Sequence, residues 1–305
     1  MKIKNKKLKK ISPLFIAIGI LGAIYIISLI YLIAWGFGSS VKATLGLKNV
    51  FRDNMSGFPK GWPWEWEWSN YRTILKYLYV DVWGNDGRFI RTKFIGLVSN
   101  SILYAIGGSF VATLVPFVMA YATTKVNYKF NVVIDTLVIV CMAIPIIGSQ
   151  PSEIQVLKTL GLFDNWAGFF IQKGHFLSMY YLIFQATFRS ISKEYTEAAR
   201  IDGAGYYHIM LRIIMPLAKT LFFTIFLLYF IQFWNDYSYN LIYLRSKPTL
   251  AYGVYFLVYL NSENALANVP MRLCGSFILF IPIFTLFLCF KKSLMQNLSM
   301  GGVKE

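Results

Sequence analysis

Charge is scarce in this chain, and acid is scarcest. The 305 residues include 14 Asp and Glu against 30 Lys and Arg, and charged residues amount to 14%. A soluble domain carries about a quarter, so a surface solvated all round is excluded. Cysteine and histidine are nearly missing too. Cys141, Cys274 and Cys289 fall inside apolar stretches, so neither a disulfide framework nor a CxxC metal site is expected. His175 and His208 fall on opposite predicted sides of a bilayer and cannot share a metal, so no metal site is assigned. There is no Gly-Lys-Ser/Thr phosphate cradle and no HExxH, so a nucleotide would have to be held by another polypeptide, and no catalytic residue is assigned. A membrane-bound enzyme with chemistry in an outer loop would need an acidic dyad or metal ligands there. Glu65 and Glu67 are the only close acidic pair available to it. The net charge of +16 could suggest nucleic acid, but Lys and Arg also collect in cytoplasmic loops and at membrane interfaces. Six of the first ten residues are Lys with no soluble basic domain behind them, so they read as an anchor beside anionic lipid.

What is present is apolar. Hydrophobic residues make up 56%, and the mean hydropathy is +0.52. A bilayer-crossing helix needs about 20 mostly apolar residues. Six segments qualify, near 11–37, 96–122, 131–150, 174–191, 217–239 and 272–290, so an all-α integral membrane protein with six transmembrane helices is predicted. The first is about twice as long as a signal-peptide core and lacks a small-residue cleavage site, which makes it a retained span. An even count places both termini on one side. The Lys-rich start and Lys291-Lys292 mark that side as cytoplasmic. The chain then divides into a basic start, first span and outer aromatic segment (1–95), a core (96–290) and a cytoplasmic tail (291–305). Four tryptophans between Trp62 and Trp68 suit a membrane–water interface, a sugar-stacking face or a protein-docking surface. Tyr71 to Tyr79 reads as a short interfacial helix. Asp135 reads as a helix-start charge.

The most informative stretch is EYTEAARIDGAGYYHIMLRIIMP at 194–216. Ala198 and Ala199 favour helix and allow another backbone to approach. Gly203 can take a positive φ, end that helix and turn the chain. Residues 205–214 then have helical spacing, with Ile209, Ile213 and Ile214 on one side and His208 and Arg212 on another. Pro216 is expected to close the segment where the next span begins. Glu197 and Asp202 are charges that a partner-facing loop can carry. Two helical pieces meeting at a glycine on the cytoplasmic side make a docking element.

The spacing from Glu197-Ala198-Ala199 through Gly203 and Ile213 to Met215-Pro216 resembles the EAA loop of ABC-importer permeases, with Met215 in place of Leu. FRSISKEYTEAARIDGA, IIMPLAKT, FWNDYSYNLIYL, LKTLGLFDNWAGF and FKKSLMQNLSMGGVK extend the likeness over roughly residues 60–305. Together they look like the second permease subunit of maltose-type carbohydrate importers. The resemblance implies a type I ABC importer permease fold in a bacterial plasma membrane, and a non-catalytic role. It implies a heterodimer with a second permease, two cytoplasmic ATPase subunits that bind the ATP and Mg, an extracytoplasmic solute-binding protein and a sugar substrate. A polyol, glycerol-phosphate or peptide-like solute is the alternative cargo. Carried over residue by residue, Glu197, Ala198, Ala199 and Gly203 would form the ATPase-coupling contact, with Asp202 as a capping or polar contact. Asn240 departs from the family's usual Pro, and a lost kink there would alter the bend of the fifth span.

Polar groups within apolar spans are the remaining candidates, because their burial needs a partner or a wet cavity. Trp234 could stack on a sugar ring while Asn235 and Asp236 bond its hydroxyls, or the three could hold spans together. Gln150 and Glu153 are candidates for an outer gate, or for an ordinary loop. Gly107 and Gly108 read as helix-packing glycines and not as a nucleotide loop.

Overall fold

Long apolar stretches become long helices, even with Pro116, Pro216 or Pro282 inside them, in the computed structural model, which describes residues 13–42, 66–84, 87–126, 128–144, 148–260 and 269–300. The chain divides into two compact units, residues 1–74 with 263–277, and residues 75–262 with 278–305.

In the first unit, helix α1 (Pro13–Ser40) is so uniformly apolar that no face is distinguished, and its membrane-length stretch is wholly outward-facing. Only its end is packed. Phe37 meets the rings of Trp66 at 5.8 Å, Trp68 at 6.0 Å and Phe277 at 5.6 Å. Asn70 donates to the carbonyls of Ser40 and Lys42 at 3.0 and 2.8 Å, satisfying backbone groups that the helix end leaves open. Two of the four clustered tryptophans thus serve as packing at the end of α1. Trp62, Trp64 and Glu65 lie outside the described residues.

The expected short helix is present as α2 (Ser69–Tyr77). Beyond it the chain departs from the all-helical expectation. Strands β1 (Tyr79–Trp83) and β2 (Phe89–Lys93) form an antiparallel hairpin with Tyr79 opposite Lys93 and Trp83 opposite Phe89. Asp81 and Arg91 face each other and form a two-pronged ion pair, both bonds 2.8 Å. Solvent screens so exposed a pair, and its contribution to stability is small. Among the described residues the fold is otherwise helical.

Helix α3 (Phe94–Lys125) is broken only by a wide π turn at Leu103–Gly107. After it come α4 (Asn131–Ala143), α5 (Gln150–Thr159), α6 (Trp166–Lys173), α7 (Met179–Ser190), α8 (Lys193–Ile201) and α9 (Tyr206–Trp234). Then come α10 (Ser238–Ile242), α11 (Leu250–Tyr259) and α12 (Val269–Met300). Among the described residues four helices can cross a membrane by length and composition: Leu14–Ser40, Phe94–Lys125, Tyr206–Trp234 and Val269–Lys291. The third and fourth expected spans are shorter than predicted, at 13 and 12 residues. At 1.5 Å per residue that is about 18–20 Å of helix. Pro145 explains the first shortfall, since the residue before a proline is pushed to extended backbone, and Ile144 has φ −82° and ψ 115°. The second starts late because Ser178 is still extended, with φ −148° and ψ 158°. The fifth span ends earlier than expected, at Trp234. The last helix runs past 290 to Met300, so the boundary drawn there is not a break in structure.

The core of the second unit is aromatic. Phe117 of α3 meets Phe184 and Phe188 of α7 and Phe222 of α9 edge-on, at 5.2, 5.1 and 5.5 Å. Such pairs add about 0.5–1.5 kcal/mol each beyond burial. Gly107 and Gly108 are packing glycines, as their sequence suggests. A methyl group on them would come within 2.8 Å of Phe170 and 2.6 Å of Phe169. Asp135 is not a helix-start charge. It lies within α4 and gathers Tyr181 at 2.5 Å, Gln185 at 2.6 Å and Arg189 at 3.2 Å from α7, because a half-buried carboxylate needs donors.

Candidate functional site

The 192–216 stretch folds as a capped turn. Ser192 opens α8 by accepting from the Glu194 N–H at 3.3 Å. At the other end Gly203 has φ +80°. The Gly203 N–H donates to the Arg200 carbonyl at 3.0 Å and the Ala204 N–H to the Ala199 carbonyl at 2.9 Å, the paired bonds of a Schellman motif. Nothing lies within 4 Å of where a Gly203 side chain would start. The glycine is required by its backbone angle alone. Glu197, Ala198, Asp202 and Gly203 are exposed, while Ala199 is half-buried. Ala199, Asp202, Gly203, Ala204, Gly205, His208 and Ile213 line an open groove of about 490 Å³. Two large apolar side chains flank it bare, Ile201 at 86% and Tyr207 at 81% exposure.

The turn is fixed to the helices behind it. Arg200 donates to the Lys125 carbonyl at 3.0 Å, satisfying the open end of α3. Lys125 donates to the Ile191 carbonyl at 2.9 Å, and Tyr121 to the Tyr206 carbonyl at 2.8 Å. Ala199, Ala204 and Ile213 pack on the cluster built from Phe117, Phe184, Phe188 and Phe222. Pro216 does not close the segment as expected. The helix runs unbroken from Tyr206 to Trp234, with a π turn at Met210–Ile214 just before the proline. A proline ring clashes with the carbonyl four residues back and offers no N–H. A wider turn at that point accommodates both defects.

Near the far end of α9, one cavity candidate, Asp236, and one gate candidate, Glu153, belong to a single network, while Trp234, Asn235 and Gln150 do not. The structure places Trp234 inside the helix pack at 5% exposure. Its ring lies stacked on Phe230, and its indole N–H donates to the Leu279 carbonyl at 3.0 Å. Asn235 is exposed and donates back to the Ile231 carbonyl at 3.0 Å. Asp236 accepts from the Tyr104 hydroxyl at 2.6 Å and from the Ser238 and Tyr239 N–H groups at 3.0 and 3.2 Å. It therefore joins α3 to the start of α10. Glu153 accepts from Ser149 at 2.5 Å, Tyr243 at 2.8 Å and Gln172 at 3.0 Å, and Tyr239 donates to Gln172. Gln150 is exposed at the start of α5.

Lys173 completes this network, with its ammonium 4.4 Å from the centre of the Tyr239 ring and 5.2 Å from that of Phe233. Burial pushes its pKa down, against the pull of Asp236 and Glu153. The hydrogen bond from Ser149, more than those from Tyr243 and Gln172, holds the Glu153 carboxyl below its ordinary value. Sequence reasoning missed Lys173, Gln172, Tyr104, Tyr239 and Tyr243. No local pattern links them, because they come from separate parts of the chain. Asn240 also differs from expectation. It lies beyond the end of α9 and so cannot bend it. Fully buried, it donates to the Leu244 and Lys247 carbonyls at 3.1 and 2.8 Å and accepts from Thr249 at 2.7 Å.

Residues 112–298, which hold all of these groups except Tyr104, match the family described as the binding-protein-dependent transport system inner membrane component. The chain belongs to this family. Among its relatives, the melibiose/raffinose/stachyose import permease protein MelC of Bacillus subtilis is 30% identical over 191 residues, 61% of this chain and 67% of MelC. The trehalose transport system permease protein SugB of Mycobacterium tuberculosis is 26% identical, covering 68% of this chain and 78% of SugB. Protein LplC of Bacillus subtilis is 26% identical over 300 residues, 94% of this chain and 92% of LplC. Among solved structures, a bacterial ABC transporter involved in the import of the acidic polysaccharide alginate matches with a TM-score of 0.68 at 23% identity, over 92% of this chain and 95% of that one. That likeness supports the fold. Family membership and the four apolar helices make this a multi-pass membrane protein of a transport system.

Proposed function

We propose that this chain is the permease subunit of an ATP-driven, binding-protein-dependent importer for an oligosaccharide or related sugar. The 192–216 turn, on the cytoplasmic side, is the piece that an ATPase subunit grips. The observation that carries this reading is the turn's dual character. Its outer face offers Glu197, Asp202, Ile201 and Tyr207 unburied, while its inner face is bonded to α3 and packed on the α3–α7–α9 core. A carboxylate at a helix C-terminus opposes the helix dipole. Asp202 stands there without a side-chain partner among the described residues, which suits a group awaiting a partner. The sugar assignment rests on what the relatives' names say they carry.

In this mechanism ATP and Mg are bound by the partner ATPases. Their closure pushes α8, and the push reaches α3, α7 and α9 through Ala199, Arg200 and Tyr206. A second permease completes the solute path, and an extracytoplasmic binding protein delivers the cargo. Gly203→Val tests the coupling role. The strained turn is expected to leave an assembled complex in membranes with solute uptake lost, and wild-type uptake by that complex removes the assignment.

A further inference from the structure

Beside the turn, a cleft of about 400 Å³ opens between the ends of α3 and α7 and the body of α8. It is lined by Thr124, Lys125, Arg189, Lys193, Thr196, Glu197 and Arg200. Four cations thus share one space with one carboxylate. Their partners are few. Lys125 and Arg200 donate to backbone carbonyls, and Arg200 also lies over the Tyr206 ring, 5.1 Å from its centre. Arg189 reaches Asp135, outside the lining, at 3.2 Å. Among the described residues neither Lys193 nor Glu197 forms an ion pair. A second observation is independent of charge. Thr124 is among the residues that line the cleft, and its hydroxyl is shut off from solvent with no hydrogen-bond partner. Buried hydroxyls are normally paired, and each exception calls for an explanation. The carbonyl end of α3 contributes partial negative charge here, but Arg200 already occupies it.

We propose that this cleft is an anion-binding site for a phosphoryl group. Two arginines supply forked donors suited to phosphate oxygens. Lys125 and Lys193 supply point charges, and Thr124 supplies a hydroxyl donor. The cleft has room for a phosphate ester or a lipid headgroup. Because Lys193 and Arg200 sit on α8 while Lys125 and Arg189 sit on α3 and α7, a bound anion ties the turn to the helices behind it. Any effect of this tie on transport rests on the coupling role of the turn; the binding does not.

The test uses the purified, assembled importer in a phosphate-free detergent. Thermal stability is measured against added inorganic phosphate at ionic strength matched with chloride, and separately against added phosphatidylglycerol. A saturable rise in stability with phosphate identifies a soluble phosphate ligand, and a rise with the lipid alone identifies a headgroup. Lys193→Gln with Arg189→Gln should weaken the apparent affinity about tenfold or more, the range for lost bonds to a charged group. Thr124→Val should move two readings in opposite directions, raising the stability of the ligand-free protein and weakening the response to the anion. No response to either probe overturns the site, as does an undiminished response in both variants. Gly203→Val should keep the full response, so loss of coupling and loss of the anion site are separable.

Discussion

Asp236 shows how much one carboxylate can hold. It receives the Tyr104 hydroxyl and two N–H groups of α10, and bonds to a charged acceptor are worth about 1.5–3 kcal/mol each. Asp236→Ala is therefore expected to lower the yield and thermal stability of the complex, with uptake per folded complex near wild type. If uptake collapses in a complex of normal stability, Asp236 contacts the solute instead. Glu153 adds a pH dependence. Its carboxyl is depressed in the folded protein, so its contribution to stability is complete above the ordinary carboxylate range and is lost as pH falls through the lowered value. Melting temperature should decline on acidification, and Glu153→Gln should flatten that decline. Parallel curves for the two proteins would count against the network. Lys173 adds a penalty with the same pH sense: burial disfavours its charged form, so the penalty is full while it is protonated and eases only as pH rises into the alkaline range.

At the scale of elements, α8 and its turn were legible in sequence because their determinants are local. Alanines favour the helix, and one glycine must end it. The structure adds that Gly203 faces open space, which separates two reasons for a glycine. Asparagine tolerates a positive φ far better than valine does. If backbone angle is the whole requirement, Gly203→Asn should retain most of the uptake that Gly203→Val loses. If an ATPase surface must also come within a side chain's width, the two variants should fail alike. Other elements were less legible. The β1–β2 hairpin has a turn signal in Asn85-Asp86-Gly87 and β-branched or aromatic residues on either side, but a helical reading of the whole chain passed over it. The length of α9 was hidden because a proline normally marks a helix start or a break. Here a π turn carries the helix past it. The Lys173 network could not be read at all, since α3, α5, α6 and α10 meet only after folding.

At the scale of the molecule, the orientation across the membrane can be checked directly. Ser69 and Lys193 are both exposed and lie in segments assigned to opposite sides. A cysteine at Ser69 should react with an impermeant thiol reagent in intact cells, and one at Lys193 only after lysis. The reverse pattern would invert the assignment and remove the turn from the ATPase side. Native Cys289 is exposed within α12, so the measurement needs a background with that residue replaced.

The bonds that hold the 192–216 turn bear on how tightly the proposed coupling contact can be made. A nine-residue helix is too short to persist alone in water. Here it is already formed, clasped by Arg200 on Lys125 and by Tyr121 on Tyr206. If the turn is the coupling contact proposed above, an arriving subunit meets a rigid key and loses little affinity to ordering it. Cut out as a peptide, the same residues would have to fold as they dock, and they should compete poorly with the intact protein for the same socket.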